Sequence, residues 1–174
     1  MSDVRLIEAP MCIDFEEAEG ERGDAFKKEF AVIAEGDDDA IGQWLRAAKA
    51  KGDTSESDPV VLHLIVELYR KMDRLEHLIL GNMPIRIALT CHGEITRIGF
   101  DHFEFSAPLM EISKHYYGRL DLPIHPRREI PLYFEAITPT LAKIVRRHSK
   151  DESEWGVYMR ARERIMIRQL KGLE

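Results

Sequence analysis

The sequence predicts an α+β protein, in which a helical N-terminal half is followed by a small antiparallel β-sheet or barrel and a final helix. Three observations predict this class. Apolar residues recur at helical spacing before residue 81, alternate at strand spacing in short segments after residue 83, and return to helical spacing near the C-terminus. The chain has 174 residues, which suits one domain of ordinary size or one small domain with a helical appendage.

The first 23 residues are predicted to be a flexible acidic leader. The stretch Glu16–Gly23 is rich in glutamate and glycine and shows no clear period, which is typical of a segment that does not fold by itself. A short strand is expected within the leader at Met11–Phe15, where apolar residues alternate.

Residues 24–57 are predicted to form two short helices and a linker. Phe26, Phe30 and Ile33 share one face of the first helix, which ends at Gly36. The run Asp37–Asp39 can cap the second helix, whose apolar stripe includes Trp44.

Residues 58–81 are predicted to form one long helix. Asp58 and Pro59 are a favoured helix opening, and Gly81 ends it. An unbroken heptad seam runs along this helix: Val61, Ile65, Leu68, Met72, Leu75 and Ile79. Leu62, Leu64, Tyr69 and Leu78 widen the apolar face at the flanking positions. The face predicts self-association into a dimer or tetramer; the alternative is that the helix packs on its own domain.

Residues 83–174 are predicted to form the sheet or barrel and the C-terminal helix. Strands are expected at Ile85–Thr90, Phe103–Phe105, Arg119–Leu122, Ile130–Ile137, Leu141–Arg147 and Trp155–Met159. Ile165, Met166, Gln169, Leu170 and Leu173 mark the inner face of the last helix.

Several segments in this half resemble, in order and spacing, the PilZ domain family. They are Glu94–Phe100, Tyr117–Pro123, Ile130–Ala136, Ala142–Arg147, Trp155–Met159 and the helix Arg162–Leu170. The resemblance covers residues 84–172. It implies a six-stranded antiparallel β-barrel that serves as a bacterial receptor for cyclic di-GMP and is not an enzyme.

The sequence departs from both ligand motifs of that family. No arginine pair precedes the first expected barrel strand, and the Arg-x-x-x-Arg pattern at Arg70 and Arg74 lies inside the long helix. In the second motif Glu94 replaces aspartate or asparagine, whereas Thr96 and Gly99 are kept. A non-canonical branch of the family lacks these motifs and tetramerises through a heptad helix before the barrel, which implies an adaptor in motility, pilus or surface-behaviour pathways.

The alternative is a genuine receptor for cyclic di-GMP or another anionic nucleotide. It would use a degenerate turn at Glu94, Thr96 and Gly99, with Arg70, Arg74 or the pair Arg146 and Arg147 as anion contacts.

Other functional classes find little support in the sequence. Residues 1–59 carry a net charge of −9 and residues 60–174 carry +3, so the strongly basic domain of a nucleic-acid-binding protein is missing. We expect no catalytic site, no cofactor, no metal site and no membrane span, because phosphate loops, nucleophile elbows and long apolar runs are lacking. Cys91 is expected to pack as a small hydrophobe. The start Met1–Arg5 does not resemble a signal peptide, so a cytoplasmic protein is expected.

Overall fold

A computed structural model of the protein describes residues 5–35, 40–81, 86–124 and 128–172. The chain divides into two compact units. The barrel unit consists of Met1–Phe30 and Ile87–Glu174, and the helical unit consists of Ala31–Arg86. The helical unit is therefore an insertion within the sequence of the barrel unit.

Six antiparallel strands close into a barrel. They are β1 (Ile7–Glu17), β2 (Cys91–Ile98), β3 (His102–Phe105), β4 (His115–Leu122), β5 (Arg128–Ala136) and β6 (Leu141–Arg147). Their order around the barrel is β1-β2-β3-β6-β5-β4, with β4 returning to β1. The predicted α+β class and the six-stranded antiparallel barrel with a C-terminal helix are confirmed.

Strand β1 corrects the prediction of a flexible leader and contains the short strand that was expected at Met11–Phe15. It pairs with β2 on one side and with β4 on the other, so it closes the barrel. Ile7, Ala9, Met11, Ile13 and Phe15 are buried, and the residues between them are exposed. Glu8, Asp14 and Glu16 alternate with the buried residues on the outward face of this strand, and the two-residue apolar period, not the charge, determines its structure.

Two strands were predicted at the wrong places. The described residues 86–90 form no strand, and Ile85 lies outside the described residues. Trp155–Met159 belongs to helix α4 (Ser149–Leu170) and not to a closing strand. The closing position was already occupied by β1, so this apolar segment was free to adopt the helical period that it also satisfies.

Helix α4 covers one end of the barrel. Trp155, Tyr158 and Met159 join the barrel core, and the indole N–H of Trp155 donates a 3.0 Å hydrogen bond to the carbonyl oxygen of Gly99. The guanidinium of Arg162 donates to the carbonyl oxygen of Glu8 at 2.8 and 3.1 Å. These contacts attach α4 to β1 and to the hairpin between β2 and β3.

In the part of the chain that the structure describes, three helices precede β2. They are α1 (Gly23–Glu35), α2 (Ala40–Lys51) and α3 (Pro59–Ile79). The Asp58 carboxylate accepts a 2.7 Å hydrogen bond from the backbone N–H of Val60, which confirms the predicted opening of the long helix. The predicted cap at Asp37–Asp39 lies outside the described residues. The first half of α1 belongs to the barrel unit, where Phe26 and Phe30 are buried.

Candidate functional site

The most unusual surface of the molecule is the apolar face of α3, the six seam residues with their flanks. In the single chain every seam residue is exposed, from 51% for Val61 to 84% for Ile79. In heptad notation Ile65, Met72 and Ile79 occupy position a, and Val61, Leu68 and Leu75 occupy position d. Large apolar side chains in such a continuous exposed row are typical of an interaction surface.

The packing of α3 within the helical unit leaves this face uncovered. Helix α2 packs against α3, and Ala48 on α2 and Val66 on α3 are buried. Val66 lies at heptad position b, on the side of α3 that faces away from the seam. Helix α2 therefore packs on the b side of α3, beside the e flank, and leaves the six seam residues exposed.

The flanks of the seam are also apolar for most of their length. The e positions are Leu62, Tyr69 and Glu76, and the g positions are Leu64, Lys71 and Leu78. Leu64, Tyr69 and Leu78 are each about half exposed. In the C-terminal half of α3, Tyr69, Met72, Leu75, Ile79 and Leu80 frame a shallow open groove with Asp73 and Glu76 at its edges.

The residues of the expected ligand turn are placed differently from the prediction. Glu94 and Thr96 lie within strand β2 and not in a turn. Glu94 is exposed opposite Cys12 in the strand register, and the Thr96 hydroxyl donates to the carbonyl oxygen of Glu104 at 3.3 Å. Both side chains have the ordinary roles of residues on the outside of a barrel.

Gly99 has a structural explanation. Its φ lies outside the left-handed region, so a positive φ is not the reason for glycine here. A Cβ at this position would lie 2.9 Å from the carbonyl oxygen of Arg5 and 3.1 Å from the Leu6 side chain. Glycine is therefore required because the chain entering β1 passes directly against the β2–β3 hairpin.

The two candidate arginines on β6 do not form one anion site. The guanidinium of Arg146 lies 4.9 Å from the centre of the Phe30 ring. The guanidinium of Arg147 donates to the carbonyl oxygen of Phe100 at 2.9 Å and lies 5.8 Å from the Trp155 ring. Adjacent strand residues point to opposite faces, which separates the two charges.

The other two candidate arginines lie on α3, in the helical unit. Arg70 forms a 2.6 Å ion pair with Glu67, three residues earlier on the helix. Arg74 is exposed at heptad position c, away from the seam.

The cysteines and histidines that the structure describes form no recognisable site. Cys12 and Cys91 are free and exposed, so the expectation that Cys91 packs as a small hydrophobe is wrong. Nδ1 of His92 lies 2.7 Å from the carboxylate of Asp14, and Nδ1 of His102 lies 2.7 Å from that of Asp101. Among the described residues, no group of three or more histidine, cysteine or acidic side chains could hold a metal ion.

A buried ion pair that the sequence did not predict lies on the outer surface of the barrel. Nη1 of Arg119 donates to Oε1 of Glu29 at 2.6 Å, and both side chains are more than nine-tenths buried. The hydroxyl of Tyr117 donates to the same oxygen at 2.9 Å. Burial and the neighbouring Glu29 carboxylate raise the pKa of Tyr117, so its hydroxyl keeps the proton that this hydrogen bond needs.

The same ion pair also makes hydrogen bonds to the backbone of Ile87, where the chain re-enters the barrel unit. Oε2 of Glu29 accepts from the backbone N–H of Ile87 at 2.6 Å, and Nη1 of Arg119 donates to the carbonyl oxygen of Ile87 at 2.8 Å. The chain leaves the barrel unit after Phe30, one residue beyond Glu29, and returns at Ile87. Within the barrel unit, one buried pair therefore joins the segment from which the chain leaves to the segment at which it returns; we call these four residues, Glu29, Ile87, Tyr117 and Arg119, the clasp.

Aromatic side chains exclude water from the clasp. The ring of Phe26 stacks on Tyr117 with centroids 5.1 Å apart, and the ring of Phe30 stacks on His148 at 3.8 Å. The sequence contains one signal of the clasp, since Glu29 lies on the same face of α1 as Phe26 and Phe30. A carboxylate within an apolar stripe indicates a buried partner, but the identity of that partner requires the tertiary structure.

In comparisons with known proteins, no family model, no curated protein and no solved structure matches this chain. The resemblance to the PilZ family therefore depends on the sequence segments described above, of which Trp155–Met159 is helical and does not form the expected closing strand. Within the described ranges, no helix is both long enough and apolar enough to cross a lipid bilayer.

We expect Arg119→Ala to lower the free energy of unfolding of the barrel unit by about 3–5 kcal/mol, because it leaves the Glu29 carboxylate buried without its cation. Urea denaturation followed by circular dichroism measures this loss. The double variant Glu29→Met/Arg119→Met, which removes both charges, should recover part of it, because the Ile87 amide and the Tyr117 hydroxyl still lose their acceptor. A loss below about 1 kcal/mol for Arg119→Ala, the value of an exposed pair, would contradict the role assigned to the clasp.

Proposed function

We propose that the chain is a non-enzymatic adaptor that self-associates through the apolar face of α3 and uses its barrel unit as a protein-interaction surface. The observation that carries this proposal is the exposure of all six seam residues although α2 packs on the same helix, at its b side. Fully burying one aliphatic side chain of this size contributes about 1.5–3 kcal/mol. The seam thus carries enough apolar surface to support stable association.

A second copy of the chain is the occupant that best fits the face. Heptad spacing lets identical seams interlock as knobs into holes along their whole length. The apolar e and g flanks make the face wider than a two-helix seam needs, which favours contact with more than one partner helix. The proposed assembly is accordingly a homo-oligomer, a tetramer or a dimer.

The charges on the flanks favour parallel helices in register. In that arrangement a g residue faces the e residue five positions later on its neighbour, which pairs Lys71 with Glu76 and Leu64 with Tyr69. Antiparallel helices with Leu68 facing Met72 would instead place Lys71 against Lys71 of the partner. The first arrangement joins opposite charges, and the second opposes like charges.

For the barrel unit we propose a PilZ-like role in cyclic di-GMP signalling without nucleotide capture in the usual mode. Three contacts support this. Gly99 packs against the chain that enters β1. Arg146 contacts the Phe30 ring, whereas Arg147 donates a hydrogen bond to the carbonyl oxygen of Phe100. Motility, pilus or surface-behaviour pathways are the proposed setting, on the resemblance alone.

Wild-type protein should sediment as a dimer or tetramer at micromolar concentration, and Leu68→Glu should convert it to monomer. A charge placed in a buried seam should weaken association by about 100-fold, or about 3 kcal/mol. Because Leu68 is 59% exposed in the single chain, the thermal unfolding of the barrel unit should stay unchanged. His63→Glu, which adds the same residue at an exposed position off the seam, is the matched control. A monomeric wild type would refute the proposal.

Cross-linking tests the helix orientation. In a Cys12→Ser/Cys91→Ser background, Leu68→Cys should form disulfide-linked dimers on mild oxidation, because equivalent d residues meet in parallel helices. Arg74→Cys, which lies off the seam, should give few cross-links. Cross-links that form only when the Leu68→Cys and Met72→Cys variants are mixed would show antiparallel helices instead.

Isothermal titration calorimetry should show no heat of binding when cyclic di-GMP is added to the wild-type protein up to high micromolar concentration. The expected result follows from the separation of the candidate arginines. Low-micromolar binding that is lost in Arg74→Ala would instead establish the alternative, a nucleotide receptor with a degenerate motif. Arg168→Ala, on the C-terminal helix and outside every candidate site, serves as the control.

A further inference from the structure

The two tryptophans of the chain have opposite environments. Trp155 is 1% exposed in the barrel core, whereas Trp44 on α2 is 60% exposed. Tryptophan contributes a large apolar area and is strongly enriched among the residues that dominate the free energy of protein association. An exposed tryptophan on the helix that packs on α3 is therefore well suited to contact a partner.

Helical geometry places Trp44 next to that face. Helices α2 and α3 are joined by the short connection Gly52–Asp58, which makes them antiparallel neighbours. Ala48 on α2 and Val66 on α3 are both buried, which indicates that they lie on the facing sides of the two helices. Trp44 lies one turn before Ala48 and Arg70 lies one turn after Val66, so antiparallel packing brings Trp44 near the level of Arg70. Four residues along a right-handed helix amount to slightly more than one full turn. The Trp44 side chain is therefore rotated slightly away from the direction of Ala48, toward the side of the helix pair on which Tyr69 and the other e positions of α3 lie.

The e flank is where the neighbouring copy approaches in a parallel assembly. The g flank of that copy, with Leu64 and Lys71, lies against the e positions. Trp44 and Tyr69 together make this side of the helix pair wider than α3 alone. The aliphatic stem of Lys71 can cover an indole ring while its ammonium group lies over the ring face.

We propose that Trp44 packs on the g flank of α3 in a neighbouring copy, against Leu64 and Lys71 of that copy. Helix α2 is then part of the interface and not only a support for α3. This inference rests on the proposed self-association and adds to it a residue that lies outside the heptad seam.

Fluorescence tests this contact directly. In the Trp155→Phe variant Trp44 is the sole tryptophan, and its emission should be blue-shifted in the assembled protein. On dilution the emission should shift to the red over the same concentration range in which sedimentation shows dissociation. The Trp44→Phe variant, which retains only the buried Trp155, should show no shift with concentration and controls for changes in the barrel.

Substitution provides a second, independent measurement. Trp44→Ala should raise the dissociation constant by about tenfold or more, with helical circular dichroism unchanged. Lys49→Ala, at another exposed position of α2, should leave the constant unchanged. If the protein assembles through α3 but Trp44 keeps solvent-exposed emission and Trp44→Ala has no effect, this inference fails while the proposed function stands. A wild type that remains monomeric overturns both.

Discussion

The pairing of β1 with both β2 and β4 is the interaction on which the rest of the structure depends. It closes the sheet into a barrel and leaves no unpaired strand edge among the six strands. Because β1 precedes the helices and β2 follows them, closure also brings the two ends of a long insertion to neighbouring strands. Closing such a loop costs conformational entropy, which the buried apolar side chains of β1 offset.

The clasp holds together the two chain segments that this topology brings side by side on the barrel surface. A helical unit inserted between adjacent strands is attached by two chain crossings, and both reach the barrel surface beside Glu29. A buried ion pair is not a general source of stability, since each charge loses its hydration. Its value here is geometric, because Arg119 and Glu29 together bind the N–H and the carbonyl of Ile87 and the hydroxyl of Tyr117. Two charges and two backbone groups are satisfied at one point.

The two units differ in how completely they bury their apolar residues. The barrel interior is filled by side chains from all six strands and from α4. The helical unit leaves its longest apolar face in solvent, although a helix of this length is only marginally stable without packing. That contrast is the physical basis of the adaptor proposal: the barrel core is filled within a single chain, and the apolar face of α3 is not covered. The free energy of the proposed self-association would come from burying the apolar face of α3, which the single chain leaves exposed.

The sequence by itself determined the elements whose periodicity is long and unambiguous. The cap at Asp58, the extent of α3 and the strands β5 and β6 follow from local pattern, because residues within one element fix these features. Only the tertiary structure decided the role of β1, since an acidic segment of alternating residues becomes a strand when two neighbours provide its hydrogen bonds. The same holds for Trp155–Met159, whose apolar residues fit either period until β1 fills the closing position. Glu29 and Arg119 are 90 residues apart, and no local pattern connects them. Their pairing arises from barrel closure, which is a property of the folded chain and not of any segment.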